Sequence, residues 1–357
     1  MKKIIFYFLY SFALITALAA CRGSESDEGT DVVTYITVSS SESNTIIGNS
    51  LKFSANDNLN NDVSSSSQFF VNGTMISGDT YIPTSSGALK VVAKMKEFES
   101  KPLTVNVIAT TGINFVHRAL YEDYTGTWCG NCPLAVVRFD NLVAQNDKVV
   151  LLGIHGPTGS GDPYINPTSQ GITTAKGIYG YPYILLNGTH SWNTNNNNYT
   201  DMSFALQYIQ PFSKIGIAVN TTSSGSNVTG DVKLSFAQDY SNLKVAVYVV
   251  ENKLFYDQKN YFNGTGGKPI FFGGVENILN YEHHNVLRDK TTAVLGDAIP
   301  ANQSQSNSLY TKSINYNIPV GLIKDNLKLV VVVMDNNNEV LNTREVTLNT
   351  NNQLETI

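Results

Sequence analysis

The order of apolar and polar residues changes character twice along the chain. From 31 to 108, short segments of alternating apolar and polar residues are separated by turns rich in Ser, Asn and Gly, as in a succession of half-buried strands. From 109 to 212 the pattern also contains a helix-like segment. From 213 to 357 the alternation returns, and the runs 243–250 and 327–334 are almost continuously apolar, which predicts strands buried on both faces.

The central region begins as a strand, a helix and a second strand. Residues 113–124 are rich in aromatic and β-branched side chains, as strands are. Residues 134–145 carry apolar side chains at the spacing of one helical face. The continuous apolar run 149–155 predicts a buried, central strand.

Two of the three cysteines lie between the first strand and the helix, in Trp128-Cys129-Gly130-Asn131-Cys132-Pro133. This Cys-x-x-Cys spacing places two sulfurs about one helical turn apart, where they can form a disulfide and exchange it. Structural zinc needs about four ligands, and the sequence has no second such pair. A structural disulfide is the alternative, although it usually closes a longer loop. At a helix N-terminus Cys129 would be favoured as thiolate, with Cys132 as the resolving thiol.

Strand, Cys-x-x-Cys, helix and buried strand in this order resemble the start of a thioredoxin fold. Gly180-Tyr181-Pro182 resembles the segment in which a cis-proline faces the disulfide of such proteins. The resemblance implies that Pro182 prevents metal capture and that the Tyr181 backbone pairs with a substrate strand, with Trp128 also binding substrate. The alternative is a trans proline that begins an edge strand.

Two acidic residues precede the cysteines. Asp123 lies six residues before Cys129, the offset at which thioredoxins keep a buried carboxylate that assists the resolving cysteine. Glu122 points to the opposite face of the same strand. One of the two is expected to be buried near the sulfurs, with a raised pKa and a general acid/base role. In the alternative, both are solvated at the end of the strand.

The fold class predicted from these patterns is multidomain, because 357 residues exceed what one core usually holds. An N-terminal Ig-like β-sandwich (31–108) is followed by a central α/β thioredoxin-like domain (109–212) and a C-terminal β-sandwich (213–357). The chain has 24 basic and 29 acidic residues and no basic stripe interleaved with aromatics, which excludes a nucleic-acid-binding protein.

The N-terminus carries an export signal. Two lysines and an apolar run lead to Leu18-Ala19-Ala20-Cys21, which predicts a signal peptide over 1–20. The last four residues resemble a bacterial lipobox, in which Cys21 is acylated and anchors the protein to the membrane; a chance cysteine after an ordinary signal peptide is the alternative. The stretch 21–30 is either a surface-export tag or a solvated acidic tether.

A histidine pair lies in a less regular stretch, in Tyr281-Glu282-His283-His284-Asn285-Val286-Leu287-Arg288. Adjacent side chains of an extended segment point to opposite faces, so the two imidazoles cannot share one metal without a turn. The sequence favours a structural polar cluster at a domain interface. Neither a metal nor a cofactor is expected.

Together, the lipobox, the segment from Glu122 to Pro133, Gly180-Tyr181-Pro182 and the histidine segment resemble the outer membrane protein 28-related family of lipoproteins, found chiefly in Bacteroidota. The resemblance covers about 109–350 and implies an outer-membrane, lipid-anchored protein, with exposure at the cell surface left open.

Two functions remain open at this point. One is thiol–disulfide exchange with protein thiols or disulfides of the cell envelope, which would make the protein an oxidoreductase. The other is a surface-exposed binding or structural lipoprotein in which the thioredoxin-like fold is a non-catalytic scaffold.

Overall fold

The structure, a computed structural model, describes residues 32–109, 112–157, 161–193 and 199–357. The predicted signal peptide, Cys21 and the acidic stretch up to residue 30 lie outside the described residues. Strands make up 44 % of the structure and helices are few, so the prediction of a β-rich protein with sandwich architecture is confirmed in outline. Among the described residues, none of the helices has the length and apolar character that crossing a bilayer requires.

The N-terminal region consists of two small sheets that share one core. Side chains alternate between buried and exposed along the longer strands, such as Leu51–Asp57 and Gly87–Met95, so that one face of each sheet is apolar. The strands are β1 Ile36–Ser40, β2 Asn44–Ile46, β3 Leu51–Asp57, β4 Gln68–Val71, β5 Thr74–Met75, β6 Thr80–Tyr81, β7 Gly87–Met95, β8 Phe98–Glu99 and β9 Leu103–Ile108. One sheet has the order β1-β3-β6, and the other has β2-β9-β7-β4-β5 with β8 beside β7.

The central region contains the strand–helix–strand unit expected from the sequence. The elements are β10 Ala119–Thr125, α1 Pro133–Gln145, β11 Val149–His155, α2 Pro167–Ala175, β12 Tyr183–Leu186, β13 His190–Ser191 and α3 Ser203–Leu206. Strands β10 and β11 are parallel neighbours, and β12 runs antiparallel to β10 on the other side. The predicted segments 134–145 and 149–155 agree with α1 and β11 to within one residue.

The C-terminal region contains ten strands. The strands are β14 Ile215–Ser224, β15 Asn227–Phe236, β16 Lys244–Glu251, β17 Leu254–Lys259, β18 Asn277–His283, β19 Val286–Lys290, β20 Asp297–Ala298, β21 Leu309–Asn317, β22 Leu327–Met334 and β23 Val340–Thr347. A three-stranded sheet, β14-β15-β21, packs on one face of β16, β22 and β23 through a large apolar core. The valine-rich runs of β16 and β22 are buried along almost their whole length.

One nine-stranded sheet joins the central and C-terminal regions. Its order is β13-β12-β10-β11-β19-β16-β22-β23, with β20 beside β16. At the junction Gly153 of β11 pairs with Val286 of β19, and the Gly153 N–H donates to the Asn285 carbonyl over 2.8 Å. Strands from both sides of residue 212 therefore share hydrogen bonds, and this sheet brings the histidine segment of β18 next to the carboxyl end of β11.

Candidate functional site

The two cysteines form a disulfide at the N-terminal end of α1, with an Sγ–Sγ distance of 1.99 Å. The helix begins at Pro133, so Cys132 is its N-cap residue and Cys129 lies in the turn ahead of it. Proline is well suited to this first position because it lacks the N–H that the helix start would leave unpaired. Both cysteines are buried, with 4 % exposure for Cys129 and 1 % for Cys132.

A loop from the C-terminal region covers the disulfide. We call residues 258–276, which run from the end of β17 to the start of β18, the covering loop. The loop donates hydrogen bonds to carbonyl groups of the cysteine motif, and a motif loop bound in this way is held in one conformation. These bonds run from the Gln258 side chain to Cys129 O (3.1 Å), from Lys259 N to Thr127 O (2.8 Å) and from Tyr261 N to Gly130 O (2.7 Å).

The covering loop has a folded core of its own. The buried side chain of Asn260 accepts from the Phe262 N–H and donates to the carbonyls of Phe271 and Val275, over 2.9 to 3.1 Å. The rings of Phe262 and Phe271 lie 5.0 Å apart and pack against Leu134 of α1. The loop is therefore anchored both to itself and to the helix that carries Cys132.

The two candidate acids of β10 lie on opposite faces. Glu122 is buried and forms an ion pair with the Lys176 ammonium at 3.0 Å, away from the sulfurs. Asp123 lines a cavity of about 90 Å³ together with Cys132. Its Oδ1 atom is shielded from solvent and has no hydrogen-bond partner among the described residues. Burial raises the pKa of Asp123 to about 7, so this carboxyl group can gain or lose a proton near neutral pH.

The remaining predicted residues lie on the other side of the disulfide. The Tyr181–Pro182 peptide bond is cis, as the resemblance implied. The Tyr181 ring stands edge-on to the Trp128 ring, with 5.4 Å between their centroids. Both Tyr181 and Pro182 line a groove of about 710 Å³ that also includes Asn131, which lies between the two cysteines.

The sequence does not single out His155 or Asp162, and it predicts only a structural polar cluster for His283. The His155 Nδ1 atom lies 2.8 Å from the Asp162 Oδ2 atom, and both side chains are buried. His155 and His283 line the small cavity, with their rings 5.5 Å apart. Burial lowers the pKa of His283 to about 4, so this imidazole is neutral at physiological pH. The sequence does contain a signal for His155, because this histidine ends β11, the strand that pairs with the strand carrying Asp123.

The outer end of the small cavity is formed by Asp140 of α1 and His284. Both keep a substantial part of their surface in contact with solvent, whereas the neighbouring His283 is buried. Partial desolvation raises the pKa of Asp140, and the nearby His284 opposes this rise. The lining of the cavity therefore includes both the shielded carboxyl group of Asp123 and titratable side chains at the surface. Among the described residues, no group of three or more His, Cys, Asp or Glu side chains is arranged to hold a metal ion.

Comparisons with known proteins bear on the family. No curated protein matches the chain. Among solved structures, the chain is similar to the adhesin InvE of Yersinia pseudotuberculosis, with 10 % identity, a TM-score of 0.17 and coverage of 88 % of this chain and 59 % of that one. It is also similar to a β-glucosidase from Kluyveromyces marxianus, with 10 % identity, a TM-score of 0.18 and coverage of 82 % and 42 %. A third structure, domains 4–9 of the surface layer protein SbsC, has 9 % identity, a TM-score of 0.16 and coverage of 89 % and 65 %.

The chain spans less than two thirds of each of these solved chains, and at such TM-scores the likenesses carry no argument about this protein. The family comparison is more informative, because residues 171–352, about half of the chain, match the model of outer membrane protein Omp28. The match includes Pro182, the covering loop and the histidine pair, and it begins after the two cysteines. The chain belongs to the outer membrane protein Omp28 family and is located in the outer membrane.

Proposed function

We propose that this protein is a thiol–disulfide oxidoreductase of the outer membrane, with a thioredoxin-like central region that exchanges the Cys129–Cys132 disulfide with protein thiols or disulfides. One observation carries the proposal. Asp123 places a carboxyl oxygen without a hydrogen-bond partner in the cavity that Cys132 lines, and burial brings its pKa to about 7. A buried carboxyl group that can exchange a proton beside a disulfide is suited to proton transfer during exchange.

The surrounding fold supports the interpretation that the central region is thioredoxin-like. The strand–helix–strand unit is parallel, and the disulfide lies between β10 and α1. Pro182 immediately precedes β12, which pairs antiparallel with β10. These elements bring the disulfide and Pro182 to the same end of the sheet.

The proposed reaction moves two electrons between the protein and its substrate. In the reduced protein, the Cys129 thiolate, favoured by the helix N-terminus, attacks a substrate disulfide. A Cys129–substrate disulfide forms, and the other substrate sulfur leaves as a thiolate. Cys132 then gives its proton to the Asp123 carboxylate and attacks the Cys129 sulfur, which releases the second substrate thiolate and oxidises the protein pair. The reverse sequence oxidises a substrate dithiol.

The lipid anchor is part of the same proposal and rests on the sequence alone. The segment Leu18-Ala19-Ala20-Cys21 would place a lipidated cysteine at the mature N-terminus. A protein attached in this way can reach envelope proteins at the membrane surface, and the location of the family agrees with it.

A second function, a binding or structural lipoprotein with a permanently oxidised disulfide, is favoured by one observation. Both sulfurs are buried and the covering loop donates hydrogen bonds to the motif carbonyls. A disulfide shielded in this way reacts more slowly, because exchange requires access to the attacked sulfur.

Trapping of substrates separates the two functions. In the Cys132→Ser variant the Cys129–substrate disulfide cannot be resolved and should persist. Non-reducing gels of envelope extracts should then show adducts that disappear on reduction and are absent from the Cys129→Ser/Cys132→Ser double variant. If no adduct depends on Cys129 under several growth conditions, the oxidoreductase proposal is wrong and the scaffold function is favoured.

A further inference from the structure

A second feature of the site is the groove of about 710 Å³ between the covering loop and the Tyr181–Tyr183 segment. Pockets of this size commonly bind ligands. The cysteine motif contributes Asn131, which lies between the two cysteines, to the lining of this groove. Its main lining residues are Tyr181, Pro182 and Trp192 on one side and Phe262, Lys268 and Pro269 of the covering loop on the other.

The composition of the groove indicates the chemistry of its occupant. Most of its lining is aromatic or apolar, and Lys268 is the one charged side chain among the described residues that line it. The Lys268 ammonium donates to the Asn131 Oδ1 atom over 3.1 Å and lies over the rings of Tyr261 and Phe262 at 5.5 and 5.3 Å. These contacts hold a positive charge beside the cysteine motif, so a negative charge on an otherwise apolar ligand would be attracted there.

The backbone on the opposite side of the groove indicates an extended ligand. Within the described part of the chain, the N–H and C=O groups of Tyr181 form no hydrogen bond. Tyr181 lies just ahead of β12, and unpaired backbone groups there can form hydrogen bonds with an extended peptide. Because Cys129 is only 4 % exposed, a disulfide held on the surface of a folded domain has poor access to it, and an extended segment of a single chain is the better fit to a groove.

We propose that the covering loop selects the substrate, and that the groove takes a single extended polypeptide segment whose cysteine is flanked by apolar residues and one acidic residue. Lys268 pairs with the acidic residue, and Phe262 contacts the apolar ones. This inference rests on the proposed thiol–disulfide exchange and adds to it two specificity-determining residues that lie more than 120 positions after the cysteines.

Changing the charge at Lys268 and the charge of the peptide in turn tests the inference. The probes are three synthetic peptides with apolar flanks, in which the single cysteine is coupled to nitrothiobenzoate and one neighbouring residue is Asp, Asn or Lys. Release of the coloured thiol by the reduced, full-length protein gives the rate constant for attack by Cys129. We expect the Asp peptide to react about fivefold faster than the Lys peptide, with a smaller difference at high salt.

In Lys268→Glu the order of the rates with the Asp and Lys peptides should invert, and in Lys268→Gln the difference between these two rates should disappear. Lys101→Glu, the same charge change at an exposed lysine of the N-terminal region, should keep the wild-type order.

Two failures are distinguishable. If the wild-type protein releases thiol from these peptides but Lys268→Glu keeps the same order of rates, the role of the groove is overturned and the oxidoreductase function stands. If the reduced wild-type protein releases thiol from none of the peptides, the proposed function itself is overturned.

Discussion

The backbone N–H of Tyr261 donates to the carbonyl of Gly130 over 2.7 Å, and the Tyr261 ring covers the glycine. A Cβ atom at position 130 would lie 2.5 Å from the ring carbons, closer than van der Waals contact permits. The glycine between the cysteines therefore allows the covering loop to close over the disulfide.

Gly130→Ala should push the covering loop away from the cysteine motif. In the reduced variant we expect iodoacetamide to alkylate Cys129 about tenfold faster than in the wild type, because access limits thiol reactivity. Gly180→Ala, at a groove-lining glycine with nothing within 4 Å of an added Cβ, is the matched control. Equal alkylation rates in all three proteins would contradict a covering role for Tyr261.

The two thiols of the reduced protein should differ in reactivity. Cys132 lines the inner cavity with Asp123 and is 1 % exposed, whereas Cys129 lies ahead of the helix and outside that lining. With a limiting amount of alkylating agent at neutral pH, peptide mass spectrometry should find the label mainly on Cys129. Preferential labelling of Cys132 would reverse the assignment of nucleophile and resolving thiol.

Asp123→Asn should change how stability depends on pH. The pKa of the Asp123 carboxyl is raised from 3.8 to about 7, so the folded state binds this proton more tightly than the unfolded state. The free energy of unfolding of the wild type therefore falls as pH rises from about 4 to about 7, by roughly 2 to 4 kcal/mol from this group. Asparagine removes the loss.

Calorimetry of the oxidised proteins at pH 4 and pH 8 measures this effect. The free energy of unfolding of Asp123→Asn minus that of the wild type should be larger at pH 8 than at pH 4. For the control Asp325→Asn, at an exposed position, this difference should be the same at both pH values. A stability difference that is the same at both pH values would show that Asp123 does not hold its proton more tightly in the folded state.

The local part of the site was predictable from the sequence. Apolar spacing over 134–145 and the apolar run 149–155 agree with α1 and β11. In both elements most of the buried positions are apolar positions of the sequence, so the local pattern predicts the element. The position of Asp123 beside Cys132 also follows from local order, since β10 leads directly into the cysteine motif.

The long-range part was not predictable. The sequence predicts a less regular stretch where β17 and β18 lie, because these strands are largely exposed and lack regular apolar alternation. Contacts such as Tyr261 with Gly130 and His283 with His155 join residues far apart in sequence. The local periodicity of apolar residues contains no information about such contacts. Similarly, the pairing of Gly153 with Val286, which joins two predicted regions in one sheet, follows from tertiary packing alone.

Cys21→Ser should release the protein from the membrane. The segment Leu18-Ala19-Ala20 before Cys21 predicts acylation, and multiple acyl chains give stable anchoring. Wild type should incorporate labelled fatty acid and sediment with membranes, whereas the variant should do neither. A variant that still sediments with membranes, together with an unlabelled wild type, would show that the anchor assignment is wrong.

The reduction potential of the Cys129–Cys132 pair tests the central claim most directly. The full-length protein is equilibrated in glutathione buffers of graded ratio, and the reduced fraction is counted by thiol labelling and mass spectrometry. Exchange-active pairs of this spacing have potentials between about −270 and −120 mV, and we predict a value in this range. A potential below about −300 mV, where structural disulfides lie, or a disulfide that does not equilibrate at all, would contradict the account.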